Sequence, residues 1–405
     1  MKISANLRCS ALILMVALVP GSAARVQAQD DPPAKAAPAK KADPKAAAPQ
    51  GDVLKQWQEL SARRDQIMKT VEKLQKDAQK ADEAGRNEIR AAFEKIRKEM
   101  MEDVGPRMQA LLPEVYKKDP LNVEVAEPYA FGMLQENKFQ DVIAITDKLI
   151  EAKKSNGPIL NFAGIAHFAV HDFGVANQLL TQAQKADPEV FQSLGAPFLA
   201  ASAEYPGFWK EEQAIRAAEA KADDLPRVLI KTSKGDILIE LFENEAPNTV
   251  ANFISLVEAK FYDGTRFHRV IPNFMTQGGD PNTLDKDPSN DGQGGPGYQI
   301  ACECYSPKAR RHFQGSLSMA HAGKDTGGSQ FFLTHLPTPH LNANPAEQRG
   351  HTVFGRILKG IEVNNSLRPG DQLISATVVR KRNHAYKPKT TADARPAPGK
   401  KPAKQ

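Results

Sequence analysis

The spacing of hydrophobic residues along the chain changes near residue 226. This change divides the chain into two regions of different structural class, one after the other. Before that point, apolar residues recur every three or four positions, which is typical of amphipathic helices. After it, residues 228–232 alternate between two faces, and a turn at 233–236 leads to a second apolar run over 237–242. This alternation predicts a β-hairpin. Because 405 residues are too many for one ordinary core, we predict a helical region followed by a β-domain.

The net charge of +6 first suggests an anionic partner such as nucleic acid. Its distribution argues against this, since residues 1–29 carry +3 and residues 384–405 carry +5, which leaves −2 for residues 30–383. A composition of 41% hydrophobic and 25% charged residues also excludes a wholly disordered chain and a polytopic membrane protein. We therefore expect a folded protein with no specific nucleic-acid partner.

The first 28 residues are typical of a secretory signal peptide. Lys2 and Arg8 precede an apolar run over 11–19, and Val26 and Ala28 suit the −3 and −1 positions of a cleavage site. The run is too short for a transmembrane helix, which needs about 20 residues. We expect export to the periplasm or another part of the cell envelope or exterior, with no transmembrane segment in the mature chain.

Two segments have a composition that does not support a core. Residues 29–51 are rich in Pro, Ala and Lys and predict a semi-rigid linker, and residues 384–405 repeat this composition as a disordered basic tail. An alternative for the tail is a patch that contacts an anionic surface. Its charges do not alternate with aromatic residues as in single-strand binders.

The helical region divides into two predicted parts. Apolar residues from Trp57 onward indicate a helical hairpin or coiled coil over 52–112, with a break at Gly85. Over 113–224, Phe139 and Phe173 stand 34 residues apart in similar contexts, and 34 is the tetratricopeptide period. This part resembles two or three degenerate tetratricopeptide repeats, which implies a surface for peptides or partner proteins. A generic helical bundle is the alternative.

The β-domain contains three distinctive motifs. They read FHRVIPNFMTQGGD over 267–280, LSMAHAG over 317–323 and GSQFF over 328–332, followed by FG at 354–355. With these motifs, residues 226–383 resemble the cyclophilin family of peptidyl-prolyl cis/trans isomerases. The resemblance implies an eight-stranded antiparallel β-barrel with two helices and a substrate groove on its outer face.

The residues of the first motif suit the chemistry of such an enzyme. Rotation of an X-Pro amide breaks its conjugation against a barrier of about 18–20 kcal/mol and needs no nucleophile, metal or cofactor. An apolar pocket for the ring and a cation for the twisted amide are enough. Arg269 is the one strong charged candidate beside the apolar cluster of that motif. The resemblance implies that Arg269 is catalytic and that Gln277 orients it.

The resemblance also implies a set of substrate-binding residues. Some form the proline pocket, some offer backbone groups to the peptide and others line the groove: His268, Phe274, Met275, Ala320, His321, Ala322, Gln330, Phe332, His340, Leu341 and His351. The expected ligand is a polypeptide that contains an X-Pro bond. Without the family resemblance, most of these aromatic residues would be assigned to the core.

Other possible functional sites in this domain have weaker support from the sequence. Seven of the nine histidines lie at or after His268, but their spacings form no standard metal-ligand pair, so no metal is expected. Ser329 lacks the nucleophile-elbow pattern of a hydrolase. Cys302 and Cys304 are too close for an unstrained disulfide, which leaves two free thiols or a labile redox pair.

Two hypotheses of function follow. The first is an exported isomerase that assists protein folding, with the helical repeats holding clients or partners. The second is a non-catalytic proline-binding or assembly scaffold, which His340 and an insertion around 344–349 favour slightly. Turnover of a short X-Pro peptide by residues 226–383 alone, compared with the full chain, discriminates between the two.

The first prediction concerns cyclosporin. Many eukaryotic cyclophilins carry a tryptophan just before the pocket leucine, whereas this chain carries His340 before Leu341. Because this replacement removes an indole N–H donor, we expect weak inhibition by cyclosporin in a proline-isomerisation assay. Inhibition at nanomolar concentrations would contradict this expectation.

Overall fold

The computed structural model describes residues 52–392. The predicted signal peptide, the whole predicted linker and residues 393–405 of the tail therefore lie outside the described residues. Over the described range the chain divides into two compact units, one of residues 52–129 and 151–154 and the other of residues 130–150 and 155–392. The boundary after residue 129 falls inside a helix. The second unit therefore begins with helices, which are followed by the strands.

The first unit is helical, as the sequence predicts. Its elements are α1 (Val53–Ala78), α2 (Glu83–Glu99), a π-helical turn (Met100–Val104), α3 (Gly105–Lys118) and the first part of α4 (Val123–Gln135). The predicted stripe on α1 supplies Trp57, Leu60, Ile67 and Val71 to the core. The break between α1 and α2 falls at residues 79–82 and not at Gly85, where the sequence predicted it. Gly85 lies in the first turn of α2, and its N–H donates a hydrogen bond at 2.8 Å to the side chain of Asp82, which caps the helix.

The second unit begins with helices that pack closely. They are the remainder of α4, α5 (Phe139–Glu151), α6 (Gly157–Ala169), α7 (Phe173–Ala186), α8 (Pro188–Leu194) and α9 (Ala196–Ala222). Phe139 and Phe173, the two residues 34 apart, are the first residues of α5 and α7, and both are buried. A methyl group on Gly164 of α6 would lie 2.6 Å from Leu180 Cγ, so this glycine permits close helix contact. The helical character is confirmed, and the assignment to tetratricopeptide repeats stays a prediction.

The β-domain follows in the same unit. Its strands are β1 (Arg227–Thr232), β2 (Gly235–Leu241), β3 (Arg269–Ile271), β4 (Met275–Gly278), β5 (Tyr298–Gln299), β6 (Ser316–Met319), β7 (Phe331–Thr334), β8 (Val353–Lys359), β9 (Leu373–Arg380) and β10 (Thr391–Ala392), and its α-helices are α10 (Pro247–Glu258) and α11 (Ile361–Ser366). Eight strands form a curled antiparallel sheet in the order β3-β4-β7-β6-β8-β2-β1-β9, and β10 pairs with β5. This topology confirms the predicted fold class.

Backbone hydrogen bonds bring the two ends of the curled sheet together. The Phe267 N–H donates to the Asp371 carbonyl at 2.9 Å, and the Leu373 N–H donates to the Thr265 carbonyl at 2.8 Å. Inside the curl, the predicted apolar face of α10 is buried with the inward residues of the strands. The groove residues described below lie on the opposite face of the sheet.

The structure differs from the predicted disordered tail over its first nine residues. Tyr386 is buried against the barrel core, and the His384 Nε2 lies 2.6 Å from a carboxylate oxygen of Glu243. The Lys389 N–H donates to Asn248 Oδ1 at 2.7 Å before β10 joins β5. Composition alone misses this, because one aromatic side chain and strand pairing are enough to hold the segment.

Buried ion pairs join α9 to the barrel. The side chain of Arg310 is 2% exposed, and its guanidinium contacts Glu212 at 2.7 Å and Glu219 at 2.5 Å. It also lies over the ring of Phe242, with 3.9 Å between the guanidinium carbon and the ring centroid. Arg356 on β8 contacts Glu219 at 3.3 Å. The two glutamates on α9 are thus neutralised by arginines of the β-domain, which fixes the helix in one position.

The second prediction tests this junction. Arg310→Met is expected to lower the free energy of unfolding by about 3–5 kcal/mol, because two buried carboxylates lose a partner. Denaturant unfolding followed by tryptophan fluorescence measures the change. The control is Lys234→Met, which removes a partly exposed pair with Asp371 at 3.9 Å and should change stability by less than about 1 kcal/mol. A loss for Arg310→Met as small as that of the control would contradict the prediction.

Candidate active site

Arg269 lies at the start of β3, directly opposite Gln277 on β4. Its Nη1 donates to Gln277 Oε1 at 3.4 Å. Partial burial lowers the pKa of Arg269 from its ordinary value, and no charged neighbour contributes to this shift. An arginine side chain stays charged at neutral pH despite this shift, and within residues 52–392 no carboxylate forms an ion pair with Arg269. It is available to a carbonyl oxygen of a substrate.

A chain of amides holds Gln277 in place. Gln277 Nε2 donates to Gln330 Oε1 at 3.0 Å, and Gln330 Nε2 donates in turn to the carbonyls of Gly292 and Gly294 at 2.9 Å each. The buried Asp280 carboxylate accepts hydrogen bonds from the N–H groups of the same two glycines. We call these contacts the amide relay. It runs from Asp280 through the 292–294 loop and Gln330 to Gln277, and it orients Arg269.

The apolar pocket is built from strand alternation. In the register of β4 and β7, Gln277 lies opposite Phe332 and Met275 lies opposite Thr334, so all four share the face of Arg269. The neighbouring residues Phe331 and Leu333 point the other way into the barrel core and are fully buried. Aromatic content alone does not distinguish the groove residues from the core residues. The alternation of side chains along the pleated strand does, because it places Phe332 on one face and Phe331 and Leu333 on the other.

The far side of the pocket comes from the turn before β4 and from a short 3-10 helix, Pro339–Leu341. The ring centroids of Phe274 and His340 are 5.2 Å apart. Leu341 is partly buried, and its carbonyl accepts a hydrogen bond from the His351 N–H at 3.0 Å. The structure thus brings the predicted pocket residues Phe274, Met275, Phe332, His340 and Leu341 to one region.

Two histidines close the other end of the groove. The rings of His321 and His351 stack with centroids 4.1 Å apart, and His351 meets the edge of Phe332 at 5.4 Å. His321 Nε2 lies 2.8 Å from the Gly350 carbonyl oxygen. The Ala320 N–H donates to the Gln330 carbonyl, and Ala322 is exposed beside it. Residues 320–322 therefore lie where a peptide strand could reach them.

The 292–294 loop of the amide relay lies beside His268, since a Cβ on Gly292 would be 3.6 Å from the ring of this histidine. Its two ring nitrogens are buried and have no hydrogen-bond partner among residues 52–392. Burial also lowers the pKa of His268, so the ring is neutral at physiological pH. The structure places it next to Arg269 in sequence but assigns it no contact with Gln277 or Gln330. Its predicted substrate-binding role stays a prediction.

Sequence reasoning missed the layer behind the pocket. His312 is fully buried, stacks parallel to Phe332 at 5.8 Å, and contacts Ser318 Oγ at 2.9 Å and Asn342 Oδ1 at 3.0 Å. Burial lowers its pKa to about 3, so it is neutral. Asn342 Nδ2 donates to the hydroxyl of Tyr205 on α9 at 2.9 Å. The only signal of this layer in the sequence was the large number of histidines in this domain. The fold was needed to show that His312 is the histidine that supports Phe332.

The histidines and cysteines of this domain form no metal-binding cluster within the part of the chain that the structure describes. His335 is held between Thr276 Oγ1 at 2.8 Å and the Ile271 carbonyl at 3.2 Å, and burial lowers its pKa to about 4. Cys302 and Cys304 are both free thiols, and a hydrogen bond between them raises the pKa of Cys302 to about 12 and lowers that of Cys304.

The comparisons with known proteins agree with this geometry. The family described as "Cyclophilin type peptidyl-prolyl cis-trans isomerase/CLD" matches residues 227–382. A peptidyl-prolyl cis-trans isomerase of Synechococcus elongatus is 46% identical over 157 residues, which is 38% of this chain and 97% of the relative. One from Helicobacter pylori is 44% identical over 39% of this chain and 91% of its own length, and peptidyl-prolyl cis-trans isomerase B of Bacillus subtilis is 50% identical over 33% and 85%.

A curled antiparallel barrel with an arginine beside an apolar groove defines a peptidyl-prolyl isomerase, and these matches specify the type. The chain belongs to the cyclophilin-type peptidyl-prolyl cis-trans isomerases. The family match covers the β-domain and not the helices that precede it.

The third prediction tests the arginine and its support. Arg269→Ala should lower kcat/KM for a short X-Pro peptide by about 10²–10³-fold, because the donor aimed at the twisted amide is lost. Gln277→Ala should cause a smaller loss, because the guanidinium remains but is free to reorient. Isomerisation rates measured by NMR exchange test both variants, with circular dichroism as the check on folding.

Arg266→Ala is the matched control for this prediction. Arg266 is an exposed arginine three residues before Arg269 and donates to the Gly370 carbonyl at 3.0 Å, away from the amide relay. Its removal should leave turnover within about twofold of the parent protein. Full activity in a folded Arg269→Ala variant would disprove the assigned mechanism.

Proposed function

We propose that this isomerase is exported and speeds the proline-limited folding of envelope or secreted proteins, and that its helical region holds clients or partners near the active site. The observation that carries the proposal is the position of Arg269, which is hydrogen-bonded to Gln277 beside the pocket of Met275 and Phe332 and has no carboxylate partner in the described part of the chain. This arrangement acts on X-Pro bonds in general, because it recognises the proline ring and the amide carbonyl.

The catalytic role follows from the electronic change during rotation. As the X-Pro bond twists, conjugation is lost and the nitrogen regains its lone pair. The apolar pocket fixes the ring while Arg269 donates to the substrate carbonyl and stabilises the twisted state more than the planar one. The amide relay through Gln277 and Gln330 keeps the guanidinium aimed before substrate arrives, which avoids the cost of reorientation.

Contacts from the helical region support a joint action of helices and groove. The Asn273 N–H, directly before Phe274, donates to Asn137 Oδ1 at 2.7 Å from the turn between α4 and α5. Asn137 is itself held by Asn365, with its Nδ2 3.1 Å from the Asn365 carbonyl. The position of Phe274 therefore depends on a residue of the helical region, which supports a role of the helices beyond a tether.

Export is proposed from the sequence of residues 1–28, which lies outside the described residues. Among residues 52–392 the structure contains no helix that is long and apolar enough to span a bilayer. Expression of the full chain in a Gram-negative host, followed by cell fractionation and N-terminal sequencing, tests the proposal. A mature N-terminus near residue 29 in the envelope fraction supports it, and an intact Met1 in the cytoplasm would refute it.

The fourth prediction concerns folding of a protein client. The full chain should accelerate the slow refolding phase of a denatured protein whose folding is limited by an X-Pro bond, and Arg269→Ala should abolish that acceleration. Stopped-flow or manual-mixing fluorescence measures the slow phase. Acceleration that survives in Arg269→Ala would favour the scaffold alternative, in which binding and not catalysis helps the client.

The full chain is the proper sample for these assays. The isolated segment 226–383 would lose the carboxylates that pair with Arg310 and the apolar side chains that cover Phe313. Low activity of that segment would therefore report on its stability as well as on client binding. Variants within the full chain separate the two effects.

A further inference from the structure

A second cleft lies next to the proline pocket, and one of its walls comes from the helical region. It has a volume of about 340 Å³ and is lined by Asn273 and Phe274, by the segment 336–340, and by Pro197 and Phe198 of α9. Phe274 and His340 thus border both the proline pocket and the cleft. Pro197 and His340 are exposed and Phe198 is partly exposed, so a ligand in solution can reach the cleft.

The chemistry of the lining indicates the class of side chain that fits. Three of the residues are prolines, two are phenylalanines and one is Leu336, and none of the nine is an Asp, Glu, Lys or Arg. Such a surface favours an aromatic or large aliphatic group over a charged one. The volume is at the lower end of the range of about 300–1,000 Å³ for ligand pockets, which suits one large side chain with part of its backbone.

Two polar atoms of the lining residues have unused hydrogen-bonding capacity. The Thr338 hydroxyl and Asn273 Oδ1 are buried and find no partner in the part of the chain that the structure describes. Thr338 is 1% exposed. Buried polar groups are normally paired, so an unpaired one at a cleft indicates a ligand that supplies the missing partner. The amide groups of a polypeptide backbone are of this kind.

The wall contributed by α9 is held in place at several points. Phe198 packs on Phe168 with ring centroids 5.4 Å apart. Further along the same helix, Tyr205 binds Asn342, and Glu212 and Glu219 pair with Arg310. On the opposite wall, the contact between Asn137 and Asn273 fixes the turn that carries Phe274. The cleft is thus formed before any substrate binds.

We infer that this cleft is a substrate subsite that receives an aromatic or large aliphatic side chain adjacent to the proline, so that α9 contributes to the sequence specificity of the enzyme. The inference rests on the isomerase activity proposed for the neighbouring pocket. Its occupant is the client polypeptide itself, because Phe274 and His340 belong both to the proline pocket and to the lining of the cleft, which places the cleft within reach of a residue next to the bound proline.

The test uses the full chain and two series of short peptides, in which the residue before or after the proline is Phe, Leu, Ala or Glu. NMR exchange measures kcat/KM for each peptide. In one of the series the Phe peptide should exceed the Ala peptide by about tenfold, the order expected for filling an apolar subsite, and the Glu peptide should be the poorest. Equal turnover of Phe and Ala peptides in both series would overturn the inference.

Pro197→Glu places a charge on the helical wall, and a glutamate in the first turn suits the helix dipole, so α9 should stay folded. This variant should reduce the Phe-to-Ala ratio to about twofold or less. Ala203→Glu, on an exposed position of the same helix outside the lining, is the matched control and should keep the parent ratio. Loss of the ratio in both variants, or in neither, would overturn the assignment of Pro197.

Phe198→Leu is a second variant that keeps an apolar wall while it removes the ring. It should lower the advantage of the Phe peptide over the Leu peptide, and an unchanged Phe-to-Leu ratio would count against the subsite. The failure of the isomerase proposal is distinct, because it would show as no catalysis of any peptide by the parent protein. Failure of the subsite alone would leave catalysis that depends on Arg269 and ignores the flanking residue.

Discussion

The arrangement of the second unit depends on the burial of Arg310 between Glu212 and Glu219. Burying three charges has a desolvation cost of several kcal/mol for each, which is recovered only when every partner is in place. One register of α9 against the barrel satisfies all of them, and Arg356 adds a further contact to Glu219. The helix is therefore positioned by electrostatic matching as well as by apolar packing of Tyr205 and Phe313.

The fixed helix has consequences at the groove. Tyr205 binds Asn342, which contacts His312, and His312 stacks behind Phe332 in the proline pocket. From the other side, the turn between α4 and α5 holds the backbone of Asn273 next to Phe274. Two walls of the pocket are thus supported by the helical region. The isomerase site of this protein is best described as a groove that the barrel forms and the helices reinforce.

Much of the architecture and of the site could be predicted from the sequence. The change from a helical to an alternating period separated helices from strands, because side chains repeat every 3.6 residues in one and every two in the other. The motif containing Arg269 and Gln277 identified two groove residues through the family resemblance, and the structure places them opposite each other on the adjacent strands β3 and β4. Contacts between distant segments, such as Asn137 with Asn273, leave no local pattern and could not be predicted.

The sequence by itself determined the fold class and the family-type groove, because both depend on local periodicity and on motifs whose residues lie close along the chain. Only the tertiary structure decided that Tyr386 belongs to the core, that His312 supports Phe332, and that Pro197 and Phe198 border a cleft beside Phe274. These features arise where segments more than 70 residues apart meet or where a side chain is desolvated. Burial and long-range pairing are properties of the folded chain, and no single stretch of sequence carries them.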